Sequence, residues 1–217
     1  MCAIQYWAWL LLNRVVRVWQ SRRVFLVQVW LKMIDKKNQR LAWAITGSGH
    51  YLRESIEILN TLENVDIFLS SAGAEIIQQY GFQQALNASG HRVYQDKTAS
   101  SVPVGMFYKG KYHGLVIAPA TSNTIAKMAY GFSDSLVTNL YAQAGKTRVP
   151  SIVFACDTAP ELESEAPRDN IVKVYPRKID LENIEKLKSF EMTSVVEDME
   201  SLSSCIQQHL QSLTQAD

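Results

Sequence analysis

Gly114–Ala120, GLVIAPA, is an unbroken apolar run that closes on a polar turn, and it limits the fold more than any other stretch. A strand wet on one side alternates polar with apolar residues. A run with no polar member is buried on both faces, as in a parallel sheet covered by helices on each side. Other strand-like runs end in the same way. RLAWAIT, from Arg40, runs into Gly47-Ser48-Gly49-His50, and VDIFLSS (Val65–Ser71) runs into Ala72-Gly73. Helical segments are predicted at Arg53–Leu62, Ala74–Gln79, Thr121–Ala129 and Ser133–Ala144. HRVYQ, SIVFAC (Ser151–Cys156) and NIVKVYP add strands. The tail VVEDMESLSSCIQQHL spaces Val196, Met199, Leu202, Ile206 and Leu210 as an amphipathic helix. The alternation predicts an α/β fold: a single Rossmann-like (flavodoxin-like) three-layer domain, with a parallel sheet and helices on both faces.

The first 39 residues do not match the rest. Residues 1–40 carry eight of the 22 Lys and Arg and one of the 21 acids, leaving 14 basic against 20 acidic residues, a net of −6, for the remainder. A mildly acidic body argues against nucleic acid as a partner. The apolar run Tyr6–Leu12 is too short to cross a bilayer, and Arg14, Arg17, Arg22 and Arg23 follow it, so no integral membrane span is expected. No small-residue cleavage site follows, which argues against a signal peptide. Two readings of residues 1–39 stay open. One is a basic, Trp-rich amphipathic helix that touches a membrane surface or a partner. The other is a non-functional extension, with the working protein starting near Met33 and residues 40–217 forming the functional domain. Cys2, Cys156 and Cys205 are too few and too scattered for a disulfide framework, a CxxC metal knuckle or the four ligands of an ordinary iron–sulfur cluster. No metal is expected, and the expected location is the reducing cytoplasm.

In doubly wound sheets, ligands sit outside the carboxyl ends of the strands. Three polar turns fall there: Thr46-Gly47-Ser48-Gly49-His50, Ser70-Ser71-Ala72-Gly73, and Pro119-Ala120-Thr121-Ser122-Asn123-Thr124. Glycines let a phosphate approach the backbone, and a helix start offers N–H groups and a positive dipole end. The phosphate-loop pattern G-x-x-x-x-G-K-[ST] is absent. A dinucleotide fingerprint is disfavoured too, since Leu52 holds the place of its third glycine and no acid ends the second strand. In the third turn Pro119 is expected to stop the strand, Thr121 or Ser122 to cap a helix, and Asn123 to meet the polar edge of a heterocycle. A cap alone explains one Ser or Thr, and here four polar residues follow a core strand.

APATSNTIAKMAYGFSDSLVT resembles the P-A-S-A-N-T segment of the homo-oligomeric flavin-containing cysteine decarboxylase superfamily. AITGSGHYLRES resembles, more narrowly, its archaeoflavoprotein group, which includes the acceptor-dependent dihydromethanopterin reductases. VYPRKIDLENIEKL has that group's character as well. The likeness runs from about Leu41 to the C-terminal helix. It implies an FMN site. The FMN phosphate would lie against Gly47, Ser48 and Gly49, with Ser70 at the end of the second strand beside Ser71. The isoalloxazine would contact Thr121, Ser122, Asn123 and Thr124, and Thr46, Ser71 and Ala120 are expected to bind the cofactor as well. Asp134 matches an acidic position after the motif, where a helix-cap carboxylate is an equal reading. His50 and Arg53 match the group's strand-to-helix signature, on the flavin or the substrate side, with a capping histidine equally open.

The resemblance leaves three chemistries: decarboxylation of a cysteine-derived thiol, prenylation of flavin, and electron transfer. The decarboxylases use a histidine about fourteen residues before the P-A-S-A-N-T segment, where this chain has Val104-Gly105-Met106. His113 is out of register. Their Met-Asn substrate clamp is replaced by Ala155-Cys156-Asp157-Thr158-Ala159-Pro160. Ser100-Ser101 give the prenyltransferases faint support. The expected function is therefore an FMN-dependent reductase that passes electrons from a ferredoxin-like donor to a pterin such as dihydromethanopterin, with the cofactor doing the hard chemistry. A flavin-binding electron carrier with no small substrate is the second expectation. The superfamily implies a homo-oligomer built from trimers. Phe107, Tyr108, Tyr112, Tyr130, Phe132 and Tyr141 are candidates for its contacts, and core packing is their alternative role.

Overall fold

The computed structural model describes residues 39–96, 104–166 and 170–215. The chain divides into two units, Met1–Gln39 and Arg40–Asp217, of which the second is described below. The expectations for residues 1–38 and for Ser100-Ser101 lie outside the described residues.

Six strands form one parallel sheet: β1 (Arg40–Ile45), β2 (Val65–Leu69), β3 (Arg92–Gln95), β4 (Tyr112–Ala120), β5 (Ser151–Ala155) and β8 (Thr193–Val196), in the spatial order β3-β2-β1-β4-β5-β8. Helices α1 (Leu52–Asn60), α2 (Ser71–Gln79), α3 (Gln83–Ala88), α4 (Ser122–Ala129), α5 (Leu136–Lys146), α6 (Lys178–Lys188) and α7 (Met199–Gln215) complete the layers. Residues alternate across the sheet with the two-residue period of a strand. Trp43, Ile67, Val116 and Phe154 enter one core with α1, α2 and α7. Ala44, Phe68, Ile117 and Val153 enter the other with α4, α5 and α6. This is the three-layer α/β arrangement expected from the apolar runs. The chain reverses its direction of winding between β1 and β4, which places a ligand crevice over their carboxyl ends. Among the described residues no helix is long and apolar enough to cross a membrane.

Three local expectations are corrected. NIVKVYP does not join the sheet; β7 (Asn170–Val174) pairs antiparallel with β6 (Leu162–Ala166) as a separate two-stranded hairpin. Val196 belongs to β8, and the tail helix begins only at Met199, because TSVV, with three β-favouring residues in Thr193, Val195 and Val196, finds an open sheet edge beside β5. Pro119 does not stop β4, which runs on to Ala120 through a cis Ala118–Pro119 bond. Its ring removes a donor but leaves the carbonyl, and that carbonyl accepts from Thr46.

Candidate functional site

The ends of β1 and β4 are tied by one buried hydroxyl. Thr46 Oγ1 donates to the Pro119 carbonyl at 2.7 Å and accepts from the Thr121 N–H at 2.9 Å. Thr46 and Ala120 are buried, so both shape the crevice from below and neither offers a polar atom to it. Above them lies a cavity of about 300 Å³, lined chiefly by Gly47, Ser70, Ser71, Thr121, Asn123 and Thr124. The structure thus brings all three sequence-predicted turns to one place.

Each lining group is set by its element. Ser70 caps α2, its Oγ accepting from Gly73 N at 2.9 Å. Thr121 caps α4, accepting from Thr124 N at 3.3 Å. The first N–H groups of both helices have no intrahelical acceptor, so they and the hydroxyls form a donor-rich wall. A Cβ on Gly47 would stand 2.6 Å from the Ala72 Cβ, so only glycine lets this turn close onto the start of α2.

Other predicted residues lie elsewhere. Gly49 packs against the Tyr80 side chain, whose hydroxyl and Cζ a Cβ at this position would meet. Ser48 Oγ donates within the turn to the His50 carbonyl at 3.4 Å. Ser122 Oγ donates to Asp157 Oδ2, fastening α4 to the loop after β5. Arg53 is exposed on α1, its guanidinium 5.4 Å from the Phe82 ring centre. Asp134 is exposed and pairs with Lys127 at 2.8 Å, and the Lys127 ammonium holds its carboxyl below the usual range. Ser135 Oγ, not Asp134, caps α5. His50 and Tyr51 line a second, smaller cavity, together with residues of α1 and of the β6–β7 hairpin.

Three lining residues escaped sequence reasoning: Asp96, Lys127 and Ser135. Lys127 lies four residues after Asn123, one helical turn along the same face of α4, so the spacing carried a signal. Asp96 carried none. It follows the short edge strand β3, and its Oδ2 accepts from the Leu136 N–H at 3.0 Å, capping α5 from a distance. Beneath the β1 turn, burial pushes the Cys156 thiol up to about 12, against a smaller opposing effect of Ser48. At neutral pH it is a packed thiol and not a nucleophile. His113 lies on β4 and pairs with His209 of α7, Nδ1 to Nε2, at 2.9 Å.

The cavity combines backbone N–H groups, five hydroxyls in Ser70, Ser71, Thr121, Thr124 and Ser135, one side-chain amide, one ammonium, and the carboxylate of Asp96, which accepts from the Leu136 N–H. Such a lining suits the phosphorylated end of a polar ligand.

The profile of the family described as Flavoprotein matches residues 32–213. An uncharacterized protein of Methanocaldococcus jannaschii is 35% identical over 79% of this chain and 96% of its own. The dihydromethanopterin reductase (acceptor) of Methanosarcina mazei is 39% identical over 59% of this chain, and the match spans 59% of that reductase. The crystal structure of Burkholderia xenovorans DmrB in complex with FMN, described as a cubic protein cage for redox transfer, superposes with a TM-score of 0.76 at 46% identity, over 82% of this chain and 98% of that one.

Proposed function

The chain belongs to the Flavoprotein family, and on that premise we propose that it is an FMN-dependent oxidoreductase of the dihydromethanopterin reductase (acceptor) type, passing electrons from a ferredoxin-like donor to a pterin. The observation that carries the reading is the donor-rich cavity over β1 and β4, because its hydroxyls, helix starts and Lys127 match the needs of a flavin phosphate and ribityl chain. The similarity to an FMN complex over 98% of the neighbour's length supports it.

In this reading residues 40–217 form the flavin domain. Gly47, Ser70 and Ser71 hold the phosphate end, while Thr121, Asn123 and Thr124 meet the rest of the cofactor. Thr46 fixes the spacing of the two strand ends. Ser122 acts indirectly, holding α4 through Asp157. When bound, FMN supplies the electron transfer itself, and the protein binds, orients and shields it. The donor and the pterin are separate molecules, the site acts in the cytoplasm, and the subunits assemble as a homo-oligomer built from trimers.

The test is spectroscopic. The purified protein is expected to be yellow and to release FMN on denaturation. Its visible band is expected to bleach with reduced ferredoxin and to return on adding dihydromethanopterin. A bleached band that no pterin restores would overturn the reductase reading and leave the electron carrier.

A further inference from the structure

Among the described residues that line the cavity over β1 and β4, Asp96 alone carries a carboxylate. Its place along the sheet edge is fixed. It follows β3, the strand outside β2, and its N–H donates to the Leu69 carbonyl at 3.0 Å, beside Ser70. In the strand order β3-β2-β1-β4, the carboxyl ends present Asp96, then Ser70 and Ser71, then Gly47, then Thr121. Neighbouring strands stand about 4.8 Å apart, so this order is a line across the cavity.

Three helix starts border the same cavity, because the capping residues of α2, α4 and α5 (Ser70, Thr121 and Ser135) all line it. Each start favours an anion. The starts of α2 and α4 have hydroxyl caps and no acid in their first turns. The start of α5 already holds an anion, since Asp96 Oδ2 accepts from the Leu136 N–H at 3.0 Å. Lys127, the cation of the lining, pairs with Asp134 at 2.8 Å. Among the described residues no Lys or Arg pairs with Asp96.

We propose that Asp96 selects a flavin with one phosphate, FMN, against the flavin dinucleotide FAD. The inference rests on the flavin reading above, with the phosphate at Gly47, Ser70 and Ser71 and the rest of the cofactor toward Thr121, Asn123 and Thr124. A diphosphate continues past the first phosphate along that line, so its second phosphoryl group arrives at the β3 end, against the Asp96 carboxylate. The first phosphate has the α2 and α4 starts to offset that charge. The second has only the α5 start, which Asp96 already uses. Repulsion built into a site rejects the wrong ligand more than it weakens the right one.

The full-length protein, equilibrated with FMN and about a hundredfold excess of FAD, is denatured and its bound flavins are separated by chromatography. The wild type is expected to hold more FMN than FAD even so. D96N has the shape of the native side chain and keeps an oxygen for the Leu136 N–H, so it removes the charge alone. It is expected to shift the bound ratio toward FAD by at least about tenfold. D96S, neutral and shorter, is expected to shift it the same way and takes the place of D96N if that variant does not fold. A wild type that holds mainly FAD, or a neutral variant with the wild-type ratio, would overturn the assignment. Uptake of neither flavin would overturn the flavin reading as well, whereas FMN uptake with an unchanged ratio overturns the role of Asp96 alone.

Discussion

Gly47 and Asp66 show how single residues set the site and the frame beneath it. Because the Cβ of Ala72 stands 2.6 Å from where a Cβ on Gly47 would be, G47A must push the turn off the start of α2. The expected result is FMN bound at least about tenfold more weakly, read from the visible absorbance retained after gel filtration, with secondary structure intact by circular dichroism. Asp66 is fully buried near the amino end of β2, where Arg40, Lys111 and the Tyr112 hydroxyl reach it at 2.7, 2.7 and 2.8 Å. Burial alone would raise its pKa, but the bonds from Lys111 and Tyr112 and the charge of Arg40 outweigh that and hold it below the ordinary 3.8. D66A leaves two largely buried cations without their counter-charge and is expected to cost about 3 kcal/mol or more in urea unfolding at pH 7. The turn that holds Gly47 was legible, because glycines stand there between a buried strand and a helix, but the sequence did not separate Gly47, which borders the cavity, from Gly49, which packs on Tyr80. Asp66 was not, because one acid inside VDIFLSS gives no sign of the three partners that the fold brings from 26 to 46 residues away.

At the scale of elements, the apolar runs were readable because burial on both faces leaves an unmistakable composition, and the three turns followed from them. The hairpin β6–β7 was not readable as such. Its strands carry charges and exposed apolar residues in a mixture that fits an edge, a loop or a second sheet equally well. The packing of α7 on β4 was also hidden, although it carries a titratable contact. His113 and His209 meet at 2.9 Å, and burial, with the neighbouring imidazole, lowers His113 to about 4, while burial lowers His209. Both therefore favour the neutral form in the folded state, whereas the unfolded chain takes up protons near the ordinary 6.5. Stability is then complete above about pH 6.5 and declines as pH falls toward 4, since the unfolded state binds more protons across that window. The expected loss is about 2–3 kcal/mol at the acid end, read as a falling Tm between pH 7.5 and 4.5. H113L/H209L, apolar at both positions, should flatten the profile. The Asp66 contribution fails only below about 3.8, so the two effects separate on the pH axis.

For the whole molecule, the aromatic residues divide in a way that only the fold could decide. Phe107 and Tyr112 are buried in the core and Tyr141 is partly buried against it, bonded to Thr193 at 2.8 Å. Those three need no partner chain to explain them. Tyr108, Tyr130 and Phe132 remain 64, 57 and 61% exposed, and the last two stand just past the end of α4, the helix that presents Asn123 and Lys127 to the cavity. Large aromatic side chains gain more from burial in an interface than from water, and a helix that also lines a ligand cavity links assembly to binding. If these residues form subunit contacts, F132D places a charge in an apolar junction and leaves the core of each subunit alone. The expected result in sedimentation velocity is a shift from a multiple of three subunits to smaller species, with the monomer still folded. FMN affinity should fall in step, because α4 would lose the neighbour that braces it. An F132D protein with unchanged sedimentation would remove Phe132 from the interface. Smaller species that hold FMN as tightly as the wild type would mean that each subunit completes its flavin site alone, so that assembly serves something other than cofactor binding.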